Sequence, residues 1–397
     1  MSEARAVICA VARTPIGKFM GAYRSLSAVE LGIQTVKEVM LRAEIDASSG
    51  IIDEVIIGQV IQAGAGQNPA RQVALGAGLP DSTPCMTLNK VCGSSLKAVM
   101  TAANSIKAGE YRCIIAGGIE SMTKAPHILQ NGRTGTKMGT ADLVDSMIHD
   151  GLWDVYNDEH MGNTGESVAT EFDISRADVD DFAAHSQQRA GEASANGWFD
   201  WELFEVEVPQ RRSGPVYVKS DEGIRPETTA EGLAGLRPAF QKDGIVTAGN
   251  ASTLSDGASA VLVADSQFAD EQGWEIIATI EDYVTSGVEP ARVMAAPIPA
   301  IEQLLERNGL SVNDVDVFEH NEAFASASCA VAKGVGIPHE KFNLHGGAIS
   351  LGHPLGASGT RCLITMLGVM RRLEAATGIV TLCLGGGNAV AMFIRRS

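Results

Sequence analysis

Residues 92–121, CGSSLKAVMTAANSIKAGEYRCIIAGGIES, run from a small-residue turn through an amphipathic helical pattern over Ser94 to Lys107 into an apolar β-branched segment. A second stretch repeats that order: His353-Pro354-Leu355-Gly356 opens it, another helical pattern follows, and residues 379–389, IVTLCLGGGNA, close it. The likeness is one of pattern more than identity, and it points to two copies of one unit packed about a pseudo-two-fold axis. Outside these stretches, short runs such as Val55-Ile56-Ile57 read as buried strands alternating with helices, so the fold class is α/β. Between the copies, roughly Ser121 to Gly249, Gly, Pro, Trp and charged residues rise, and Pro209 to Arg237 has little periodicity. This reads as an inserted loop or lid domain. The expected division is an N-terminal half over 1–120, completed by about 250–270, a loop domain over 121–249 and a C-terminal half over 271–397.

Composition limits what any motif can mean. With 397 residues, 45% hydrophobic and 20% charged, the chain is long enough for two or three cores. No window approaches the roughly eighteen uninterrupted apolar residues of a membrane helix. The start MSEARAVICAVARTP shows no basic leader or cleavage site, so neither membrane nor secretion is expected. Seven cysteines, odd in number and without a C-x-x-C pair, indicate neither a disulfide framework nor a zinc site, and imply a reducing cytoplasm. A formal charge of -17, with no basic run bearing interleaved aromatics, argues against nucleic-acid binding.

Cys92 stands where a helix begins, followed by Gly93, Ser94 and Ser95. Free N–H groups and the positive end of the helix dipole would favour its thiolate. Taken alone, such a cysteine is more often an inert buried one. Two further segments reverse that balance. GGAISLGHPLGASG, residues 346–359, sets His353 among glycines dense enough to suggest a backbone pressed against a ligand, although a lone loop histidine is more often a cap or solvated. LCLGGGNA, residues 382–389, puts Cys383 at a strand end before three glycines whose N–H groups suit an oxyanion; by itself that run is weak. A nicotinamide-dinucleotide reading fails, because no G-x-G-x-x-G leads into a helix and Pro69 takes the third glycine position of GAGQNPA.

NKVCGSSLKAV, NEAFA, GGAISLGHPLGASG and LCLGGGNA together resemble the thiolases in order and spacing, and the likeness runs from Ala6 to Phe393. The resemblance implies two βαβαβαββ halves in a five-layered core with a loop domain. It makes Cys92 the acylated nucleophile, His353 the base that activates it and Cys383 the acid/base at the substrate α-carbon. Asn321 would hold a water that forms one oxyanion hole with His353, and the N–H groups of Cys92 and Gly385 would form the other. Coenzyme A is then a substrate and no cofactor is tightly bound. The resemblance assigns Leu152, His160, Met161, Arg225, Phe240, Ala248, Ser252, Ala323 and Phe324 to the coenzyme A tunnel, with Arg225 at the adenine nucleotide. One or two such cations would have to serve a polyanionic ligand on an acidic protein. Thr253, Ser95 and Gly165 depart from the family's usual residues without removing a catalytic atom.

His160 before Met161 and ESMTKAPH at 120–127 resemble the acetoacetyl-CoA branch, with a broader 3-ketoacyl-CoA thiolase of fatty acid degradation as the alternative. A ketoacyl synthase would use a second histidine where Asn321 stands. A non-catalytic acyl-CoA carrier would lose one of the four catalytic side chains. The resemblance further implies a homodimer or homotetramer. Two thiols meeting in one cavity raise the expectation that mild oxidation links Cys92 to Cys383.

Overall fold

The structure, a computed structural model, describes residues 5–396; Met1 to Ala4 and Ser397 lie outside the described residues. Among the described residues the main sheet has ten strands, nine of them longer than two residues. In chain order these nine are β1 Ala6–Arg13, β2 Glu54–Gly58, β3 Cys85–Leu88, β4 Cys113–Ser121, β5 Ser255–Asp265, β6 Ala278–Gly287, β7 Val317–His320, β8 Thr377–Leu384 and β9 Asn388–Arg396. Their order across the sheet is β7-β8-β9-β6-β1-β5-β4-β2-β3, with the two-residue strand Gly17–Lys18 paired on β5.

Each half follows one plan. In the first, β2 lies parallel to β3 and β4, while β5 runs antiparallel to β4 and β1. In the second, β7 and β8 are parallel, and β9 runs antiparallel to β8 and β6. The equivalent strands β1 and β6 pair antiparallel with each other, Val7 opposite Thr279. Antiparallel pairing of equivalents is what a two-fold axis between the halves requires.

Three packed clusters separate five layers. Helix Ala28–Arg42 and helix Pro69–Gly76 lay Leu31, Val36, Val39 and Val73 on Val55, Ile57 and Ile115. The helices Ser94–Lys107 and Ser358–Leu373 fill the middle, where Leu96, Val99, Leu363 and Met366 meet Ile56 and Ile114 from one half and Val380 and Leu382 from the other. On the far face, Ile301, Leu304 and Val331 of helices Pro297–Asn308 and Ala325–Val335 cover Phe318, Ile379 and Phe393. Burial on both faces of β1, β4, β5 and β8 explains their continuous buried runs, whereas the edge strand β3 is only partly covered. In β1 both Ile8 and Val11 face the middle layer, an odd step absorbed by a β-bulge between Ile8 and Ala10.

Between β4 and β5 the chain forms helices Met161–Glu171 and Arg176–Ala195, several two- and three-residue strands, and the short helix Ala230–Ala234. The aperiodic stretch after Pro209 therefore holds one strand, Val216–Val218, and that single helical turn. The segment is tied to the core by Arg13 of β1, which is fully buried and pairs at 2.8 Å with Asp221 and through Nε at 2.8 Å with Glu202. Such an ion pair fixes position more than it stabilises.

Candidate active site

Cys92 sits in the turn between β3 and helix Ser94–Lys107. The residue before it, Val91, has φ +47, a conformation that a β-branched side chain rarely adopts. Strain of this kind costs on the order of 1–3 kcal/mol and persists only where neighbours over-determine it. Here Asn89 Oδ1 accepts from Val91 N at 2.9 Å, while Ser94 Oγ accepts from Lys90 N at 2.8 Å and donates to Val91 O at 2.6 Å. The β8–β9 hairpin closes directly on this turn: a Cβ at Gly93 would stand 2.3 Å from Leu384 Cδ2 and 2.9 Å from Val390 Cγ2, so any larger residue would force those side chains to shift.

The electrostatics of Cys92 differ from those expected at a helix terminus. Burial pushes the thiol well above its ordinary value and nearby Cys383 adds to the rise, while the N–H groups of Cys92 and Gly385, both directed at the sulfur, pull the other way. Burial wins because the residue keeps only a little surface open to the cavity and is enclosed by protein beyond it. The resting thiol is therefore protonated, and it needs a base. Cys383, the penultimate residue of β8, is likewise pushed up to about 12 by burial, its Sγ 3.7 Å from Met294 Sδ.

His353 is held by its backbone and by both ring nitrogens. Gly352 before it has φ +116, which glycine adopts without strain, and a Cβ there would come within 2.5 Å of Ser255 Oγ. His353 N donates to Ser255 Oγ at 3.2 Å and Thr253 O at 3.3 Å. The ring Nδ1 lies 2.6 Å from Ser358 Oγ, whose single proton goes to Pro354 O at 2.8 Å. Ser358 must then accept from Nδ1–H, and the Nε2 lone pair is left facing Asn321 Nδ2 at 3.3 Å. Burial, with Arg361 adding, lowers the His353 pKa to about 3, so the imidazole is neutral. Asn321, fully buried just after β7, is steadied by Cys362, whose Sγ donates to Oδ1 at 3.8 Å.

Two adjoining cavities receive the residues expected from sequence. The inner one, ≈ 50 Å³, is lined by Cys92, His353, Cys383 and Gly385 together with Met161 and Ala323. The outer one, ≈ 510 Å³, is lined by His160, Arg225, Phe240 and Ala248. Leu152, Ser252, Phe324, His353 and Leu355 belong to both walls. Asn321 lines neither and reaches the site through His353. His160 caps helix Met161–Glu171, its Nδ1 accepting from Gly162 N at 3.0 Å, and its ring stacks on Phe240 at 4.8 Å. Thr253, the branched departure noted above, turns its hydroxyl to Ser255 Oγ at 3.1 Å. Lys18 and Phe19 also line the outer cavity and were not expected there. Ser358 too was missed, although it lies five residues past His353 within the same glycine-rich motif. The signal was present, but only the turn Leu355–Ala357 folds the hydroxyl back onto the ring.

A strand–turn–helix cysteine, a neutral histidine, a second cysteine and directed N–H groups around one chamber form an arrangement with the parts that acyl transfer needs. Comparison with known proteins agrees: the thiolase N-terminal domain family matches residues 6–267 and the thiolase C-terminal domain family matches residues 274–396. The chain belongs to the thiolase family. Among thiolase relatives, an acetyl-CoA acetyltransferase of Cupriavidus necator is 49% identical over 390 residues, covering 98% of this chain and 99% of that one. Another acetyl-CoA acetyltransferase, of Pseudomonas aeruginosa, is 48% identical with the same coverage. A probable acetyl-CoA acyltransferase of Staphylococcus epidermidis is 47% identical over 99% of both chains. The crystal structure of the Bacillus anthracis acetyl-CoA acetyltransferase superposes with a TM-score of 0.96 at 37% identity over 100% of both chains. The five-layered thiolase fold expected from sequence is the fold observed.

Proposed function

We propose that this chain is an acetyl-CoA C-acetyltransferase, cleaving acetoacetyl-CoA with coenzyme A or, in reverse, condensing two acetyl-CoA through an acetyl-Cys92 intermediate. The observation that carries this reading is the inner chamber itself, where Cys92, His353, Cys383 and Gly385 meet around one small space that adjoins the outer cavity. The names of the relatives support the same reading.

In the proposed cleavage, His353 Nε2 takes the Cys92 proton as the sulfur attacks the 3-keto carbon. The N–H groups of Cys92 and Gly385 receive one developing oxyanion. Rupture of the carbon–carbon bond releases an acetyl-CoA enolate, whose oxygen is met by His353 and a water held by Asn321. Cys383 Sγ–H protonates its α-carbon. The Cys383 thiolate then deprotonates incoming coenzyme A, which attacks acetyl-Cys92 and frees the enzyme. The raised thiols support this order, since each holds its proton until substrate arrives. Coenzyme A would thread the outer cavity past His160, Phe240 and Ser252, with Arg225 at its nucleotide end. We also propose a cytoplasmic homodimer or homotetramer, on the strength of the family resemblance. Among the described residues no helix is long and apolar enough to cross a membrane.

The test is thiolysis of acetoacetyl-CoA beside a medium-chain 3-ketoacyl-CoA. A strong preference for acetoacetyl-CoA is expected; equal or better cleavage of the longer substrate would replace this reading with that of a broad-range thiolase.

A further inference from the structure

Glu120 is fully buried on β4 and takes no part in the steps above. Its Oε2 accepts from Val60 N at 3.1 Å and Gly356 N at 2.9 Å, and its Oε1 from Ile61 N at 3.3 Å. Gly356 lies between His353 and Ser358 on the base loop. Val60 carries the other connection: its carbonyl accepts from Asn89 Nδ2 at 3.3 Å, and Asn89 Oδ1 holds Val91 N, next to Cys92. One carboxylate thus reaches both the nucleophile turn and the base loop, which are about 260 residues apart in the chain.

We infer that Glu120 is a positioning residue whose ionised carboxylate, by accepting from three backbone N–H groups, holds the Cys92 turn and the His353 loop in register. The inference rests on Cys92 and His353 being nucleophile and base. Three donors converge on the group, two on Oε2 and one on Oε1, and the ionised form accepts from all of them more strongly than a neutral carboxyl does. No cation pairs with it among the described residues. Facing it from β5 are Gly257, directly opposite, and the acidic Asp256; Glu120 in turn adds to the rise of the Cys92 thiol. Burial pushes Glu120 up to about 7 against the pull of the three N–H groups, and Asp256 adds to the rise. Below that value the carboxyl takes a proton, its hold on the three donors weakens and the two loops loosen. Activity then rises with pH through about 7, without a matching change in affinity for coenzyme A, whose cavity Glu120 does not line.

The experiment compares full-length wild type, E120Q and E120D. Thiolysis kcat and the KM for coenzyme A are followed between about pH 6 and 9, with the rate of Cys92 alkylation by iodoacetamide, which needs no acyl-CoA. E120Q is expected to lose about 10- to 100-fold in kcat, the scale of one buried donor left unpaired. It should keep its KM for coenzyme A and lose the inflection near pH 7 in both profiles. E120D keeps an ionisable group but is one methylene too short to reach all three donors; it should show the inflection with a low kcat. A folded E120Q with wild-type kcat and profile, or an E120D as active as wild type, overturns the inference. If E120Q does not fold, the wild-type alkylation profile decides: an inflection near pH 7 supports the brace and a featureless profile overturns it. A wild type that shows the inflection but cleaves no acetoacetyl-CoA leaves the brace standing and sinks the proposed activity.

Discussion

Replacing Ser358 with alanine tests how His353 is prepared as a base. The hydroxyl sits 2.6 Å from Nδ1 and gives its own proton to Pro354 O, so it fixes the proton on Nδ1 and the lone pair on Nε2. In Ser358→Ala the buried Nδ1–H has no acceptor. The other tautomer offers no escape, because Nε2–H would face the Asn321 amide donor at 3.3 Å. An unpaired buried donor costs about 1–3 kcal/mol. If that falls on the transition state, where the ring becomes imidazolium and both N–H groups need acceptors, the acylation rate drops by about 5- to 150-fold. The assay is rapid-quench measurement of coenzyme A release from acetyl-CoA in the half-reaction, with the KM for coenzyme A as control. Ser358→Thr keeps the hydroxyl and should recover most of the rate. A folded Ser358→Ala that acylates as fast as wild type refutes the tautomer argument, and a loss confined to KM would move the effect to the coenzyme A cavity.

Cys92→Ser should abolish both thiolysis and acetyl labelling, and appreciable residual turnover would end the nucleophile assignment. Cys383→Ser should still take an acetyl group from acetyl-CoA yet fail at carbon–carbon cleavage; loss of both steps would contradict the division between the two thiols. Gly93→Ala, which drives a methyl to 2.3 Å from Leu384, should destabilise the fold by about 1–3 kcal/mol in urea titration. Acid should be hard on this protein. His320, His345 and His353 are each lowered by burial to about 3 from 6.5, so the unfolded chain binds more protons than the folded one between those values. Their contribution is complete above pH 6.5 and is lost toward pH 3, at up to about 1.4 kcal/mol per pH unit each. Glu120 and Glu319, raised by burial from 4.5 to about 7 and about 8, work in the opposite sense between pH 4.5 and those values. Urea midpoints should therefore change modestly down to pH 4.5 and collapse below it; a flat profile from pH 6 to 3 would contradict the buried neutral histidines.

What the sequence determined by itself was local. The small residues after Cys92 and the amphipathic run beyond them produce the helix Ser94–Lys107, with the bounds that its periodicity indicated. The glycine-rich segments at 346–359 and 385–387 were readable as sites of close approach because glycine alone tolerates them, and the repeated order of motifs announced two halves. Each signal spans a handful of residues, which is the range of backbone propensity and side-chain periodicity. The inner chamber depends instead on segments far apart in the chain. The strain at Val91 persists because Asn89 and Ser94 hold it. Ser358 selects a tautomer because a turn folds it back, and Glu120 joins Val60 to Gly356 across the sheet. Above all, the protonation of Cys92 could not be read from its neighbours. A helix start argues for a thiolate, but desolvation is set by everything packed around the sulfur, and only the tertiary structure encloses it.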